Sequence, residues 1–237
     1  MNKIAYSKMR FLIVESISQS RDALKLFAYT LGALSVDTSN RASDVLILCE
    51  KIQFDVILLG YDLGEDKKNG QHILEELRSK KFISRHCAIV MITAEVSQAM
   101  VLAALEHKPD EYLAKPYTLN DLNIRLARCF AKKTAMLDIY NAMDNNDSQQ
   151  VISLCQDIIS INSIYKNECL GIQSRQYFEL KQFDKARDIY ETYACSPNCQ
   201  WAAIGLGKIA LLDHDYNLAA DCFNTVIENN PLYLSAY

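Results

Sequence analysis

The residues of this chain whose types could do chemistry are few, and most lack the spacing that chemistry needs. Eight cysteines are scattered along the 237 residues with no Cys-x-x-Cys pair. They read as reduced packing residues rather than a disulfide framework. Cys195 and Cys199 form the one close pair, with no histidine nearby to complete a zinc site. The four histidines, His72, His86, His107 and His214, read as surface or packing residues. No Ser/His/Asp set, metal triad or nucleotide loop appears, so an enzyme is not expected. What remains is the set of residues that close or follow the short apolar runs in the first half of the chain.

The elements that must position this set are βα units. Phe11 to Val14 reads as a first buried strand, with Ser20 as candidate N-cap of the helix that follows. Ser35 to Thr38 is a weaker strand followed by a helix over 43–51. Asp55 to Leu59 is apolar enough to be a strand covered on both faces, and it leads through a polar loop with Asn69-Gly70 to a helix over 71–80. Cys87 to Thr93 with a helix over 96–107, then Glu111 to Ala114 with a helix over 119–130, complete five units. Five such units predict a doubly wound, flavodoxin-like parallel sheet, whose functional edge lies at the carboxyl ends of the strands.

Beyond Phe130 the strand signals stop. Phe183, Ala186 and Tyr190 superpose on Tyr216, Ala219 and Phe223 at an offset of 33, and Pro197 on Pro231 at 34. That period predicts helix–turn–helix repeats. Leu206, Gly207, Tyr216, Ala219, Phe223 and Pro231 resemble the tetratricopeptide pattern in order and spacing. The earlier window keeps Tyr177 but has Ser174 in place of the glycine, and a fainter third match covers 135–162. The domains expected are therefore 9–132 and 133–237, the second an all-α helical-repeat unit. Residues 232–237 read as the opening of another repeat helix, so more chain is expected to follow. The junction over 130–134 has no Gly, Pro or Ser run, which predicts one helix running from the first domain into the second.

Residues 1–133 carry 19 Lys and Arg against 16 Asp and Glu, whereas 134–237 carry 6 against 13. An acidic second half argues against nucleic-acid binding, which needs a basic face. The basic start precedes too short an apolar run for a signal peptide or membrane span, and the protein is expected in the cytoplasm.

Residues 9–132 resemble the receiver domain of two-component response regulators. The resemblance rests on Phe11 to Ser16, on Asp55 to Gly64 with Asn69-Gly70, on Ile92-Thr93-Ala94 and on Tyr112 to Pro116. It implies a pocket in which an aspartate after the third strand takes a phosphoryl group from a kinase histidine, an acidic pair holds Mg²⁺, and a threonine and a lysine hold the product. Here the nucleophile's position is Gly60, which has no side chain to phosphorylate, and the acidic pair is reduced to Glu15-Ser16, so weak or no Mg²⁺ binding is expected. Thr93 and Lys115 are retained, and Lys115 is expected to pair with Glu15 ahead of a family-typical cis Lys115-Pro116 bond. Tyr112 resembles the family's aromatic switch residue and is expected as fixed packing.

The resemblance implies a phosphorylation-independent adaptor or inhibitor. The receiver would dock on a histidine kinase or a sister regulator, or pair with a second copy, while the repeats hold a second protein. Groove candidates are Tyr177, Trp201 and Lys208. The alternative is a working regulator that uses Asp62 or Glu15 as a substitute acceptor.

Overall fold

A computed structural model describes residues 4–64, 68–94, 108–196 and 199–229. The chain divides into two compact units, 1–135 and 136–237, against the expected 9–132 and 133–237.

The first unit holds five strands: β1 (Arg10–Val14), β2 (Ser35–Ser39), β3 (Val56–Gly60), β4 (Ala88–Thr93) and β5 (Glu111–Ala114). They form one sheet in the order β2-β1-β3-β4-β5, every pair parallel. Crossovers described are α1 (Ser18–Leu31), α2 (Ala42–Lys51) and α3 (Gly70–Ser79), and α4 (Leu119–Ala135) follows β5. The helix expected over 96–107 lies outside the described residues. Alternation along the strands sends Leu12, Val14, Ile57 and Leu59 into one core with α2 and α3. Phe11, Ile13, Val56 and Leu58 enter the other, with α1 and α4. Because both faces are covered, β3 and β4 are buried at every position, which is why they read as unbroken apolar runs.

Three local expectations change. Helix α1 begins at Ser18 with Ile17 at its N-cap and no side-chain cap bond, so Ser20 lies inside the first turn. The unit begins before residue 9: a three-residue turn, Tyr6–Lys8, buries Tyr6 edge-on against Phe130, while its hydroxyl donates to Asn123 Oδ1. It is too short to show periodicity. Helix α4 runs five residues past Phe130 because Lys133 is anchored within the unit. Its ammonium lies 2.8 Å from Asp110 and donates to the Arg85 carbonyl, and Asp110 also accepts from the Ile89 amide. Both charges are almost fully buried, and such a pair is retained only where each member is so satisfied. The single helix expected across the junction is interrupted at Met136, whose φ of −100° and ψ of 5° place it at the N-cap of the next helix.

The second unit is all helix in its described residues: α5 (Leu137–Asp144), α6 (Ser148–Ser160), α7 (Lys166–Glu179), α8 (Phe183–Tyr193), α9 (Gln200–Leu212) and α10 (Tyr216–Asn229). The starts of α8 and α10 are 33 residues apart and those of α7 and α9 are 34 apart. Pro197, Pro231 and the segment 232–237 lie outside the described residues. The offset has a packing cause. A β-carbon at Gly207 would lie 2.5 Å from the ring of Phe223, so the aromatic of α10 needs glycine on α9 for the helices to approach. One repeat earlier the matching pair is Ser174 and Tyr190. Ser174 is fully buried, and its hydroxyl is satisfied by donating to the Gly171 carbonyl of its own helix.

Candidate functional site: the pocket at the strand ends

Strand register assembles the polar set. Val14 pairs with Leu59 and Gly60 with Ile92, so Glu15, one residue past β1, arrives beside Gly60 at the end of β3. Thr93 closes β4 opposite Ala114, and the Lys115 amide donates to the Thr93 carbonyl. Residues that are 100 apart in sequence thereby meet, the Lys115 ammonium donating to Glu15 Oε2 at 2.7 Å. The Lys115-Pro116 bond is cis.

The Glu15 carboxylate is 1% exposed and Lys115 28%. Its second oxygen accepts from the Ile17 amide at 3.2 Å. Arg21 holds the loop from outside, donating to the carbonyls of Glu15 and Ser16. The Glu15 charge is felt nearby: burial first, and then that carboxylate, push the Tyr117 hydroxyl up to about 12.

Gly60 fits a pocket that has closed over it. A β-carbon there would lie 3.0 Å from the Val14 carbonyl oxygen, 3.4 Å from Leu63 Cδ2 and 3.6 Å from Glu15 Oε2. The backbone is equally close on the far side. A β-carbon at Gly70 would come within 2.2 Å of the Gly60 carbonyl oxygen, so only glycine lets the start of α3 approach β3 and its amide donate to Tyr61.

Asp62 is exposed, and its carboxylate caps its own loop, accepting from the Gly64 amide at 2.9 Å. Ser16 donates to the Asp62 carbonyl, not to its carboxylate. Thr93 is buried at the end of β4. Tyr112 packs against the α2/α3 core; burial and then the neighbouring Tyr61 raise its hydroxyl to about 12.

The residues present do not suit Mg²⁺. A hard octahedral ion needs several oxygens free to turn toward it. Here Glu15 is the only buried carboxylate of the set and both its oxygens are engaged, while Gly60 supplies none, Ser16 donates to the Asp62 carbonyl and the Asp62 carboxylate accepts from the Gly64 amide of its own loop. Among the described residues no cluster of three His, Cys, Asp or Glu side chains could hold a metal. All eight cysteines are free thiols.

A sheet ordered 2-1-3-4-5, with Glu15, Thr93 and Lys115 gathered at its carboxyl edge, is matched by the family model for the response regulator receiver domain over residues 11–127. Residues 11–127 are a response regulator receiver domain. The chain is 24% identical over 132 residues to the chemotaxis protein CheY-3 of Vibrio cholerae, covering 56% of this chain and 99% of that protein. It is 32% identical over 120 residues to the transcriptional regulatory protein BasR of Escherichia coli, half of each chain. Among solved structures, a two-component response regulator from Clostridium difficile superposes with a TM-score of 0.46 at 22% identity, covering 52% of this chain and 97% of that one. Within this chain's receiver domain, Thr93 ends β4, Lys115 follows β5 and Gly60 ends β3.

In the helical unit, two of the three residues expected on a partner groove, Trp201 and Tyr177, are partly buried against the core of the helix pairs. Trp201 lies flat on Gly171, 3.3 Å from where a β-carbon would be, between the rings of Tyr190 and Tyr193. Tyr177 is half-buried against the same cluster, with the Lys185 ammonium over its ring. Lys208 is exposed. Helix α9 carries little amphipathic signal, since its residues 202–207, 209 and 210 are all buried. A helix that is apolar all round gives no sequence signal of which face meets solvent. The Lys133–Asp110 anchor is equally hidden, because nothing in sequence marks two residues at opposite ends of a helix–strand pair as partners.

Proposed function

We propose that this chain is a pseudo-receiver adaptor, which binds partners of a two-component system without accepting phosphate and is not an enzyme. The observation that carries the reading is the Glu15–Lys115 ion pair closed over Gly60. In a phosphorylatable pocket the lysine and the acidic loop must be free to meet an incoming phosphoryl group and its metal. Here each already satisfies the other, and no carboxylate stands at the end of β3 to attack. Docking needs none of this chemistry. Ile17 at the N-cap of α1, and Leu26 and Tyr29 on the helix, leave apolar surface exposed for a histidine kinase or sister regulator.

The 33–34-residue repeat of helix pairs, with glycine or serine under an aromatic, supports reading the second unit as tetratricopeptide-like and as the half that holds a second protein. Its excess of carboxylates favours a basic or amphipathic segment over nucleic acid. No described helix is long and apolar enough to cross a membrane, and a cytoplasmic site is part of this proposal. The competing reading, phosphorylation of Asp62 or Glu15, is disfavoured because each carboxylate is committed elsewhere.

The test is incubation with acetyl phosphate and Mg²⁺, read by intact mass. The adaptor reading expects no added phosphate on the wild-type chain. A phosphate adduct on the wild type that disappears in Asp62→Ala or Glu15→Ala would overturn it.

A further inference from the structure

Three sulfur atoms from three separate segments meet inside the second unit. Met136 stands at the N-cap of α5, Cys155 in the middle of α6 and Cys169 in the first turn of α7. All three side chains are fully buried, in one cluster with Ile139, Ala142 and Val151. The Cys169 thiol donates to Met136 Sδ at 3.8 Å. Cys169 also meets Cys155, and that contact holds the proton on Cys155 while it lowers the Cys169 thiol. Cys169 is therefore the first of the pair to become a thiolate.

The donor set selects the kind of ion it could hold. Thiolates and thioethers are soft ligands, which favour Cu(I) over hard ions such as Mg²⁺. A closed Zn²⁺ site takes four ligands, and three sulfurs leave it one short. The spacing suits a smaller coordination number. An ion bonded to three sulfurs at about 2.3 Å holds them about 4 Å apart, and Cys169 and Met136 already stand at 3.8 Å. Charge points the same way: Glu168 puts negative potential on both thiols, which favours a cation between them.

We propose that Met136, Cys155 and Cys169 form a three-coordinate site for a cuprous ion. Binding releases the two thiol protons to solvent and forms two copper–thiolate bonds and one copper–thioether bond, with no change in oxidation state. Met136 is the residue that interrupts the junction helix, so the ion ties the start of the helical unit to the α6/α7 pair. The inference stands on these residues alone and is independent of the receiver pocket and of what the helical unit holds.

The test is anaerobic titration of the reduced full chain with Cu(I) held by bathocuproine disulfonate, whose colour reports what the chain removes. Cys195→Ser is the background, because the exposed thiol would otherwise take the ion at the surface. One ion per chain is expected to transfer, to show three sulfur neighbours at about 2.3 Å by X-ray absorption, and to raise the melting midpoint of the helical unit. Transfer is lost in Cys155→Ser and in Cys169→Ser. Met136→Leu conserves core volume, keeps the fold by circular dichroism and leaves the ion two sulfur neighbours. Three results would overturn the proposal: no transfer to the Cys195→Ser chain, transfer unchanged when Cys155 or Cys169 is replaced, or an unchanged sulfur count in Met136→Leu.

Discussion

Substituting Gly60 in a graded series tests whether the closed pocket has room for the carboxylate it lacks. The β-carbon alone meets the Val14 carbonyl at 3.0 Å and Leu63 at 3.4 Å, so neighbours in the centre of the sheet must yield by a few tenths of an ångström. Overpacking of this kind costs roughly 1–3 kcal/mol, and replacing glycine in a strand returns about 0.5–1 kcal/mol of chain entropy. Gly60→Ala is therefore expected to lose about 0–2 kcal/mol. Gly60→Asn adds the bulk of an amide, and Gly60→Asp adds charge to the same bulk. With the β-carbon 3.6 Å from Glu15 Oε2, the new carboxylate sits roughly 4–5 Å from a buried one, a repulsion of about 3–4 kcal/mol at an effective dielectric near 20. Lys115, already 2.7 Å from Glu15, offsets much of it. The aspartate variant is accordingly expected about 1–3 kcal/mol below the asparagine variant. Differential scanning calorimetry at pH 7 resolves this as a drop of several degrees in the receiver's transition, since 1 kcal/mol moves the midpoint of a domain this size by about 3–6 °C. If Gly60→Asp is as stable as Gly60→Asn, or more so, the pocket accepts a second carboxylate and the ion pair is not a substitute for the missing chemistry.

Two further outcomes follow from the packing. Gly205→Ala places a β-carbon 2.3 Å from the buried Tyr190 ring, so a loss of about 2–3 kcal/mol is expected. Urea unfolding followed by the fluorescence of Trp201, the only tryptophan, reads it, with partial recovery in the Gly205→Ala/Tyr190→Leu double variant. Of the eight cysteines only Cys195 is exposed, and burial pushes the Cys49 thiol up to about 12 and those of Cys87 and Cys129 higher still. At pH 8 one thiol is thus expected to react quickly with an aromatic disulfide reagent in the native chain and eight after denaturation. Fast reaction of three or more native thiols would contradict the burial.

The sequence alone determined the sheet and the residue type at the end of its third strand. Strands covered on both faces must be apolar at every position, so β1, β3 and β4 are visible as runs, and the polar residue that closes each run lands at the carboxyl edge whatever the details of packing. Glycine at position 60 likewise excludes a side-chain nucleophile by residue type alone. What only the tertiary structure decided is where the remaining polar and aromatic groups point. Asp62 follows the same strand as Gly60 but turns to the Gly64 amide, because a carboxylate at a loop satisfies the nearest backbone donor. Trp201 and Tyr177 have the types of a binding surface, and the fold packs part of each against the core. Which side of an all-apolar helix meets solvent depends on where its neighbours have glycine, as Gly171 does beneath Trp201. The Glu15–Lys115 and Lys133–Asp110 pairs show the same division: charge type is written locally, whereas the distance that makes two charges a pair is set by strand register and helix length across the whole unit.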